Sequence, residues 1–285
     1  MNPQTEILRT RDGHNISLRI FQQPGAPSGR VLVIGPGAGL AQDFYAPLAE
    51  YSAERGLTVV TFDYRGIGQS GNGPLKGNPA TLRQWANHDL DAVLRHVHNR
   101  FPRQEVVFLG HCISGEMAGI APASEYIHRL VLVSCALSCW RLWPLRSQFR
   151  ILLIKLFAPI LSALYGYFPG TKFGFLNDMP AGVAQELSGW CNHPNGLFDE
   201  FPDHNYRKLC IPMLAYSFSD DWFAPSRAVA ALLAHFGAAS TRWLHLDPKE
   251  IGLPGIGHDG FFDPRCRVLW DQLLNWIQAP NTSVP

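Results

Sequence analysis

The sequence lacks an excess of charge of either sign. Its 285 residues include 24 basic and 23 acidic side chains, which gives a formal net charge of +1. Nucleic acids and anionic membranes attract proteins with clustered basic charge, so this balance excludes a general electrostatic attraction to either. We therefore expect a small-molecule partner and no nucleic acid.

Targeting signals and paired cysteines are also lacking. The N-terminal segment has no basic stretch followed by an apolar run, so we expect no secretory signal and a cytoplasmic location. The six cysteines lack the paired spacing of a metal site, and a reducing compartment would keep them as thiols. They are Cys112, Cys135, Cys139, Cys191, Cys210 and Cys266. We expect neither a metal nor an organic cofactor.

Apolar strand-like runs alternate with helical patterns along the first half of the chain. Two alternating runs around Asp12-Gly13 predict a hairpin. The later strand-like runs cover residues 31–34, 57–62, 106–109 and 130–133, and the helical patterns cover residues 43–55 and 80–100. Continuous runs with few polar residues are typical of strands buried on both faces. This order predicts an α/β fold with a mostly parallel, doubly wound sheet.

The alternation stops for about seventy residues and then resumes with strand-like runs at 211–216 and 241–246. The interval is rich in Trp, Phe and Leu and has helical patterns. We predict a core formed by residues 1–135 and 210–285, with an inserted helical cap at residues 136–209.

One apolar run inside the predicted cap, residues 150–161, resembles a membrane segment in composition. Lys155 and Pro159 interrupt it before it reaches the length that spans a bilayer. We therefore expect a cap helix and no membrane contact.

Residues 110–115, Gly-His-Cys-Ile-Ser-Gly, follow a strand-like run and precede a helical pattern. This arrangement is typical of a nucleophile elbow, a strained turn that exposes one side chain and points the next backbone N–H at an oxyanion. The exposed residue would be Cys112, and Ser114 stands where the common pattern has a second glycine. Ser114 as nucleophile would need glycine at positions 112 and 116, so we favour Cys112. The alternative for Cys112 is a small buried structural residue.

Two later loops carry the remaining reactive side chains. Asp220 and Asp221 follow the strand-like run at 211–216, and His258 follows the run at 241–246. With Cys112 they give the chain order nucleophile, acid, histidine. That order is found where these three groups meet at one edge of a parallel sheet.

Together these motifs resemble the α/β-hydrolase superfamily across nearly the whole chain. The resemblance rests on the glycine loop 35–39, the loop 63–70, the elbow, the Asp-Asp loop before Ala-Pro, and the Gly-His-Asp-Gly-Phe-Phe segment 257–262. The chain is most similar to a group of bacterial predicted hydrolases with a similar Gly-His-x-Gly-Phe-Phe end and a Trp-containing cap. The elbow cysteine resembles dienelactone hydrolases and polyhydroxyalkanoate synthases. The resemblance implies an α/β-hydrolase fold.

The resemblance also implies a role for each residue. Cys112 would attack an acyl carbon, and His258 would act as base and then as acid. The imidazole and a helix N-terminus would both favour the Cys112 thiolate. Asp221, four residues before Pro225, matches the position of the triad acid, and Asp220 stays open as the alternative.

Two further sets of residues complete the predicted site. The backbone N–H of Ile113, with that of Gly37 or Ala38, would hold the oxyanion. Four tryptophans are candidates to line an apolar acyl pocket, although core packing would explain them equally well. They are Trp140, Trp143, Trp190 and Trp222.

The predicted reaction is hydrolysis of an acyl ester or thioester through an acyl-cysteine intermediate. The acyl group would be carried by a small molecule, including coenzyme A, or by a carrier protein. Two alternatives stay open: acyl transfer to an amine or alcohol in biosynthesis, and a ligand-binding homologue without catalysis. The sequence leaves the oligomeric state open.

Overall fold

A mixed sheet of eight strands forms the centre of the computed structural model, which describes residues 2–23, 25, 29–71, 73–174, 177–236 and 240–280. The ten strands are β1 (Gln4–Arg9), β2 (Asn15–Phe21), β3 (Arg30–Gly35), β4 (Thr58–Phe62), β5 (Glu105–His111), β6 (Ile127–Val133), β7 (Tyr167–Phe168), β8 (Met179–Pro180), β9 (Met213–Phe218) and β10 (Thr241–Leu246). Strands β7 and β8 pair only with each other. The others lie in the order β1-β2-β4-β3-β5-β6-β9-β10.

Strand directions agree with the predicted fold class. Strand β2 runs antiparallel to β1 and β4, and the remaining neighbours in the sheet are parallel. The predicted N-terminal hairpin is confirmed, with Gly13 at φ +84° in its turn. The mostly parallel α/β-hydrolase sheet is also confirmed.

Helices follow most of the strands. They are α1 (Ala46–Glu54), α2 (Leu82–Gln84), α3 (Asp91–Arg100), α4 (Ile113–Met117), α5 (Leu145–Tyr165), α6 (Gly170–Phe173), α7 (Ala181–Trp190), α8 (Ser226–Leu233) and α9 (Arg267–Gln278). A π-helical stretch, Trp85–Leu90, joins α2 to α3. The side chain of Thr81 caps the first turn of α2 by accepting a hydrogen bond from the backbone N–H of Gln84.

Both faces of the sheet are buried because successive strand residues point to opposite sides. In β3, Val31 and Val33 pack into one apolar core, while Leu32 and Ile34 pack into a second core on the other face. Helices α1 and α9 cover the second core. Two-sided burial explains why these strands read as continuous apolar runs.

The chain between β6 and β9 carries α5, β7, α6, β8 and α7. Helix α5 packs on α7 and contributes Ile151 and Ala158 to the wall of a cavity next to the elbow. The division into a core and a separate cap stays a prediction.

Helix α5 turns much of its apolar surface outward. Leu164 is 75% exposed and Phe149 is 67% exposed. By length and composition α5 is the one helix of the described residues that is apolar enough to cross a membrane, with 17% of its apolar window buried. Its inner face nevertheless packs on the globule, so the expectation of no membrane contact stays a prediction.

Candidate active site

Strand β5 passes into α4 through a sharp turn at Cys112. The backbone of Cys112 has φ 51° and ψ −122°, a conformation that costs energy for any residue with a Cβ. Gly110 permits the turn, because a Cβ on Gly110 would lie 2.5 Å from the Cα of Gly115. Cys112 is partly exposed and lines two cavities. This geometry is that of a nucleophile elbow.

The glycine that packs closely in this elbow is Gly115, one position later than in the common pattern. A Cβ on Gly115 would lie 2.2 Å from Sγ of Cys135. Ser114 is buried, donates its hydroxyl to the carbonyl oxygen of Pro36 at 2.5 Å and lies 2.8 Å from the Tyr64 hydroxyl. Ser114 lines neither cavity beside Cys112. Its hydroxyl is therefore used to hold the turn against the loop after β3.

The imidazole of His258 lies against the carboxylate of Asp221. Nδ1 of His258 is 3.0 Å from Oδ2 and 3.2 Å from Oδ1. Oδ1 also accepts backbone hydrogen bonds from Phe223 and Ala224 at 2.9 and 3.0 Å. Burial acts to raise the pKa of Asp221, but the His258 ring and these two amides outweigh it and hold the pKa below its usual value. A fixed, charged carboxylate orients Nδ1–H of the ring.

The second ring nitrogen of His258, Nε2, is buried and has no hydrogen-bond partner among the described residues. His258 and Cys112 line the same two cavities, and Cys112 acts on the ring through its charge. Burial acts to lower the pKa of His258, but Cys112 and Asp221 outweigh burial and hold the pKa well above its ordinary value. A proton on this ring is thus favoured beside the sulfur.

Asp220 holds the loop that carries His258 and does not contact the ring. Its Oδ2 accepts hydrogen bonds from the backbone N–H groups of Ile256 and Gly257 at 2.8 and 3.0 Å. The structure therefore separates the two acids that the sequence left open, because only Asp221 bonds the imidazole.

One of the predicted oxyanion donors already has a hydrogen-bond partner within the protein. Ile113 begins α4, so its N–H has no partner within the helix. The N–H of Gly37 donates to the Tyr45 hydroxyl at 2.7 Å, which corrects the expectation that it would be open to an oxyanion. Ala38 lines the second cavity with Cys112 and is the remaining candidate in that loop.

A buried histidine connects the glycine loop to the His258 loop. Nδ1 of His111 is 2.8 Å from the Tyr45 hydroxyl, and Nε2 is 3.2 Å from the carbonyl oxygen of His258. Because Tyr45 accepts from Gly37, its own proton points to Nδ1, and Nε2–H donates to the carbonyl. Burial and the nearby His258 lower the pKa of His111 to about 3, so His111 stays neutral.

Three possible metal ligands meet beside the same loop. Atoms of His111, His258 and Asp259 lie within 4.8 Å of one another. A metal bound there would occupy His258 and remove the base from Cys112. The expectation that no metal takes part stays a prediction.

Two cavities meet at Cys112 and His258. The first has a volume of about 60 Å³, lies under α5 and has apolar walls that include Ile151, Phe168 and Met179. The second has a volume of about 330 Å³ and is lined by the glycine loop together with Trp222. The candidate nucleophile therefore faces an apolar space on one side and a wider, more polar space on the other.

The four predicted tryptophans divide into two groups. Trp143 lines the first cavity and Trp222 lines the second. Trp190 is buried in the main core against Phe201, and Trp140 packs beside a smaller apolar cluster under the Arg141 guanidinium. The expectation that Trp140 and Trp190 line the pocket is therefore wrong, because both are used for packing.

The sequence reasoning missed Glu116 and Tyr45. Glu116 lies in α4, four residues after Cys112, and lines the first cavity with it. That spacing was a usable signal. Tyr45 had no comparable signal, since its contact with His111 joins residues 66 positions apart.

Comparisons with known proteins agree with this fold. The curated polyketide transferase grgF of Penicillium sp. is 32% identical over 126 residues, which cover 43% of this chain and 42% of the relative. The chain thus spans less than half of the curated relative it matches. The crystal structure of the α/β-hydrolase GrgF from Penicillium sp. sh18 has a TM-score of 0.62 at 18% identity, with 97% of this chain and 99% of that chain covered.

Two further solved structures are similar to this chain in fold only, because their sequence identity to it is low. The structure of the DcsB complex with its substrate analogue has a TM-score of 0.66 at 17% identity and covers 97% of this chain and 99% of that chain. The esterase EaEST from Exiguobacterium antarcticum has a TM-score of 0.60 at 15% identity, with 97% and 100% covered.

A family model described as serine aminopeptidase, S33, matches residues 26–184, which include the elbow and more than half of the chain. The relatives and structural neighbours include esterases and polyketide transferases. The chain therefore belongs to this family, Hydrolase_4, and has the α/β-hydrolase fold.

Proposed function

We propose that the protein cleaves an activated acyl ester or thioester through a covalent acyl-Cys112 intermediate. One observation carries the proposal: the thiol at the apex of a strained elbow shares its cavities with His258, whose Nδ1 is bonded to the buried Asp221. Nucleophile, base and orienting acid are the three parts that covalent acyl chemistry requires.

The first half of the reaction forms the acyl-enzyme. The Cys112 thiolate attacks the acyl carbonyl carbon, and a carbon–sulfur bond forms. The backbone N–H groups of Ile113 and Ala38 hold the resulting oxyanion, a contribution typically worth on the order of a hundredfold or more in rate. When the oxyanion collapses, the bond to the leaving group breaks, and the imidazolium of His258 gives its proton to the departing sulfur or oxygen.

The second half releases the acyl group. Neutral His258 takes a proton from water, and the hydroxide oxygen attacks the acyl carbon of the thioester. The carbon–sulfur bond then breaks, Cys112 leaves as a thiolate, and the acid product departs. The protonated His258 and the thiolate of the resting enzyme are restored.

The two cavities suit different parts of the substrate. The apolar walls of the first cavity suit an acyl chain, because burying such a chain removes apolar surface from water. The wider second cavity suits the leaving group and the incoming nucleophile. A thioester donor fits best, since exchange of one thioester for another is nearly balanced in energy, and a coenzyme A or carrier-protein thioester supplies that chemistry.

Acyl transfer is the second candidate, and the similarity to the polyketide transferase grgF favours it. The first half of the reaction would be the same. In the second half His258 would take the proton of an amine or alcohol, which then receives the acyl group in place of water. Transfer requires that the acceptor reach the thioester faster than water does.

The deciding experiment follows the acyl group by mass spectrometry. The protein is mixed with a panel of coenzyme A, carrier-protein and p-nitrophenyl esters, with and without amine or alcohol acceptors. We expect an acyl adduct on Cys112 and its release to water or to one acceptor. Product identity separates hydrolysis from transfer.

Two variants serve as controls. Cys112→Ala should form no acyl adduct and should lose turnover. Folded Ser114→Ala should still form the acyl adduct on Cys112. A second readout is alkylation by iodoacetamide, which should be fast in the native protein and slow after His258→Ala. Full activity of Cys112→Ala would refute the covalent mechanism, and slow alkylation that is independent of His258 would support a binding protein without catalysis.

A further inference from the structure

The apolar cavity beside Cys112 contains a group of polar side chains that the proposed chemistry does not use. Glu116, Ser134 and Ser138 all line it, and we call these three residues the polar recess. Each of them is buried. Glu116 lies four residues after Cys112, lines the same cavity and donates its backbone N–H to the Cys112 carbonyl oxygen at 3.4 Å. The recess thus lies close to the position of a bound acyl carbonyl.

Ser134 has no hydrogen-bond partner in the described part of the chain. Its hydroxyl is buried, and the residue stands directly after β6 at φ +53°. Among the described residues, Ser134 and Cys112 are the two non-glycine residues with positive φ. Strained backbone and unpaired buried hydroxyls are both costly, and such features concentrate at binding and catalytic sites.

Glu116 is a buried carboxyl whose hydrogen bonds, among the described residues, all come from Ser138. Its two oxygens are each 3.0 Å from the Ser138 hydroxyl, and the Ser138 backbone also bonds the carboxyl. Burial raises the pKa of Glu116 to about 8, although the Ser138 bond acts to lower it. At neutral pH the carboxyl therefore carries a proton and is able to donate a hydrogen bond into the cavity.

A plain alkyl chain would leave this recess without partners. Filling the cavity with hydrocarbon would exclude water from the Ser134 hydroxyl and from Glu116, and buried polar groups without partners are unfavourable. A chain that carries an oxygen beside the carbonyl would give both groups a partner. Lys155 lines the same cavity, so a cationic group on the chain would meet an ammonium ion there.

We propose that the polar recess of Glu116, Ser134 and Ser138 binds a keto or hydroxyl oxygen on the acyl chain, close to the acyl carbonyl. The substrate class is then an oxygenated acyl thioester, and plain fatty acyl thioesters are the poorer substrates. Glu116 and Ser134 are specificity-determining residues in this scheme. The inference rests on the proposed function, because it assumes that the cavity holds the acyl chain of a Cys112 substrate.

The test compares three thioesters of N-acetylcysteamine that have the same chain length: β-keto, β-hydroxy and plain acyl. We expect kcat/KM for at least one oxygenated thioester to exceed that for the plain one by about tenfold or more. Glu116→Leu and Ser134→Ala should each reduce this ratio toward one. Glu116→Gln, which still donates a hydrogen bond, should retain much of the preference for the β-keto chain.

Ser188→Ala is the matched control. Ser188 lines the same cavity, but its hydroxyl is already satisfied by the backbone carbonyl of Lys155 at 2.9 Å. We expect this variant to leave the ratio of oxygenated to plain substrate unchanged. Thermal unfolding of every variant identifies those that fail to fold. If Glu116→Leu fails to fold, the smaller changes Ser134→Ala and Glu116→Gln still test the inference.

A binding measurement separates this inference from the proposed function. Calorimetry on Cys112→Ala uses unreactive β-keto and plain acyl amides, so it needs no turnover. A preference for the oxygenated amide that Ser134→Ala removes would support the recess even if no acyl-enzyme forms. Equal affinity for the two amides, or an equal loss of both thioester activities in Glu116→Leu, would overturn the inference.

Discussion

Asp220 and Asp221 are neighbours in the chain with different partners. Asp221 bonds the imidazole of His258, and Asp220 bonds two backbone amides of the loop that carries it. We expect Asp221→Asn to lower kcat/KM by on the order of ten thousandfold, because an amide there favours the wrong ring tautomer.

Asp220→Asn is the control for that prediction. Its side-chain oxygen still accepts hydrogen bonds from Ile256 and Gly257, so we expect less than about a tenfold loss of activity and a small fall in stability, about 1 kcal/mol. Steady-state kinetics with an activated ester and thermal unfolding of both variants measure the difference. Equal losses from the two substitutions would contradict the assignment of Asp221 as the triad acid.

Glu116 gives the stability of the protein a pH dependence of known sign. Its pKa rises from 4.5 to about 8 on folding, so the folded state binds the proton more tightly than the unfolded state does. This stabilisation is fully present below about pH 4.5 and is lost as pH rises through about 8. We expect Glu116→Gln, which cannot ionise, to gain free energy of unfolding relative to wild type across this window, by on the order of a few kcal/mol at its upper end.

Urea denaturation of both proteins at several pH values measures that gain. Other ionisable groups line the cavity or interact electrostatically with the carboxyl, and they are Cys112, His258, Lys155, Cys135, Cys191 and Tyr206. They are present in both proteins, so the difference between the two curves reports mainly on Glu116. A difference that does not change with pH would refute the shift.

At the scale of elements, the elbow depends on the close contact of β5 with α4. A Cβ on Gly110 would lie 2.5 Å from the backbone of Gly115, which cannot move aside as a flexible side chain would. We expect Gly110→Ala to lower the free energy of unfolding by about 2–3 kcal/mol and to abolish alkylation of Cys112.

Gly189→Ala is the control, and we expect it to have neither of the effects of Gly110→Ala. Gly189 lies inside α7, and a Cβ there would meet nothing within 4 Å. Alanine should stabilise that helix by about 0.5–1 kcal/mol and leave Cys112 reactive. Chemical denaturation and iodoacetamide labelling measure both variants, and a stable, fully reactive Gly110→Ala protein would contradict the need for this close approach.

The sequence largely predicted which segments form strands and helices. It did not always predict which side of an element faces the interior. Strands such as β3 read as apolar runs because both of their faces are buried. Helix α5 is apolar on most sides, so its sequence carries no period that distinguishes the inner Ile151 from the outer Leu164. Contacts with α7 and with the cavity decide which side faces inward.

At the scale of the whole molecule, a buried ion network ties the N-terminal hairpin to the helical layer. Nε of Arg65 is 2.8 Å from Oδ1 of Asp89, in the π-helical stretch, and Nη1 is 2.6 Å from Oδ2 of Asp12, in the hairpin turn. Asp89 is fully buried. We expect Arg65→Met to lower the free energy of unfolding by about 3–5 kcal/mol, because it removes the guanidinium from the buried Asp89 carboxylate and leaves it the backbone N–H of residue 65.

The exposed Arg83 supplies the comparison. Arg83 pairs with Glu200 at 3.2 Å and is 47% exposed, so Arg83→Ala should cost at most about 1 kcal/mol. Urea denaturation of both variants gives the two values. Adding Asp89→Leu to Arg65→Met should recover part of the loss, and equal effects of the two arginine substitutions would show that burial of Asp89 is unimportant.

The sequence by itself determined the fold class, the position of the elbow and the order of Cys112, Asp221 and His258, because local apolar patterns and turn residues specify strands, helices and their loops. The expectations of a cytoplasmic location and of no nucleic-acid partner stay predictions from composition. Tertiary structure alone decided that Asp220 serves a loop, that Gly37 is engaged by Tyr45, that Trp190 packs in the core and that Glu116 lines the apolar cavity beside Cys112. Those outcomes depend on contacts between distant segments, which form only when the sheet and its loops are assembled.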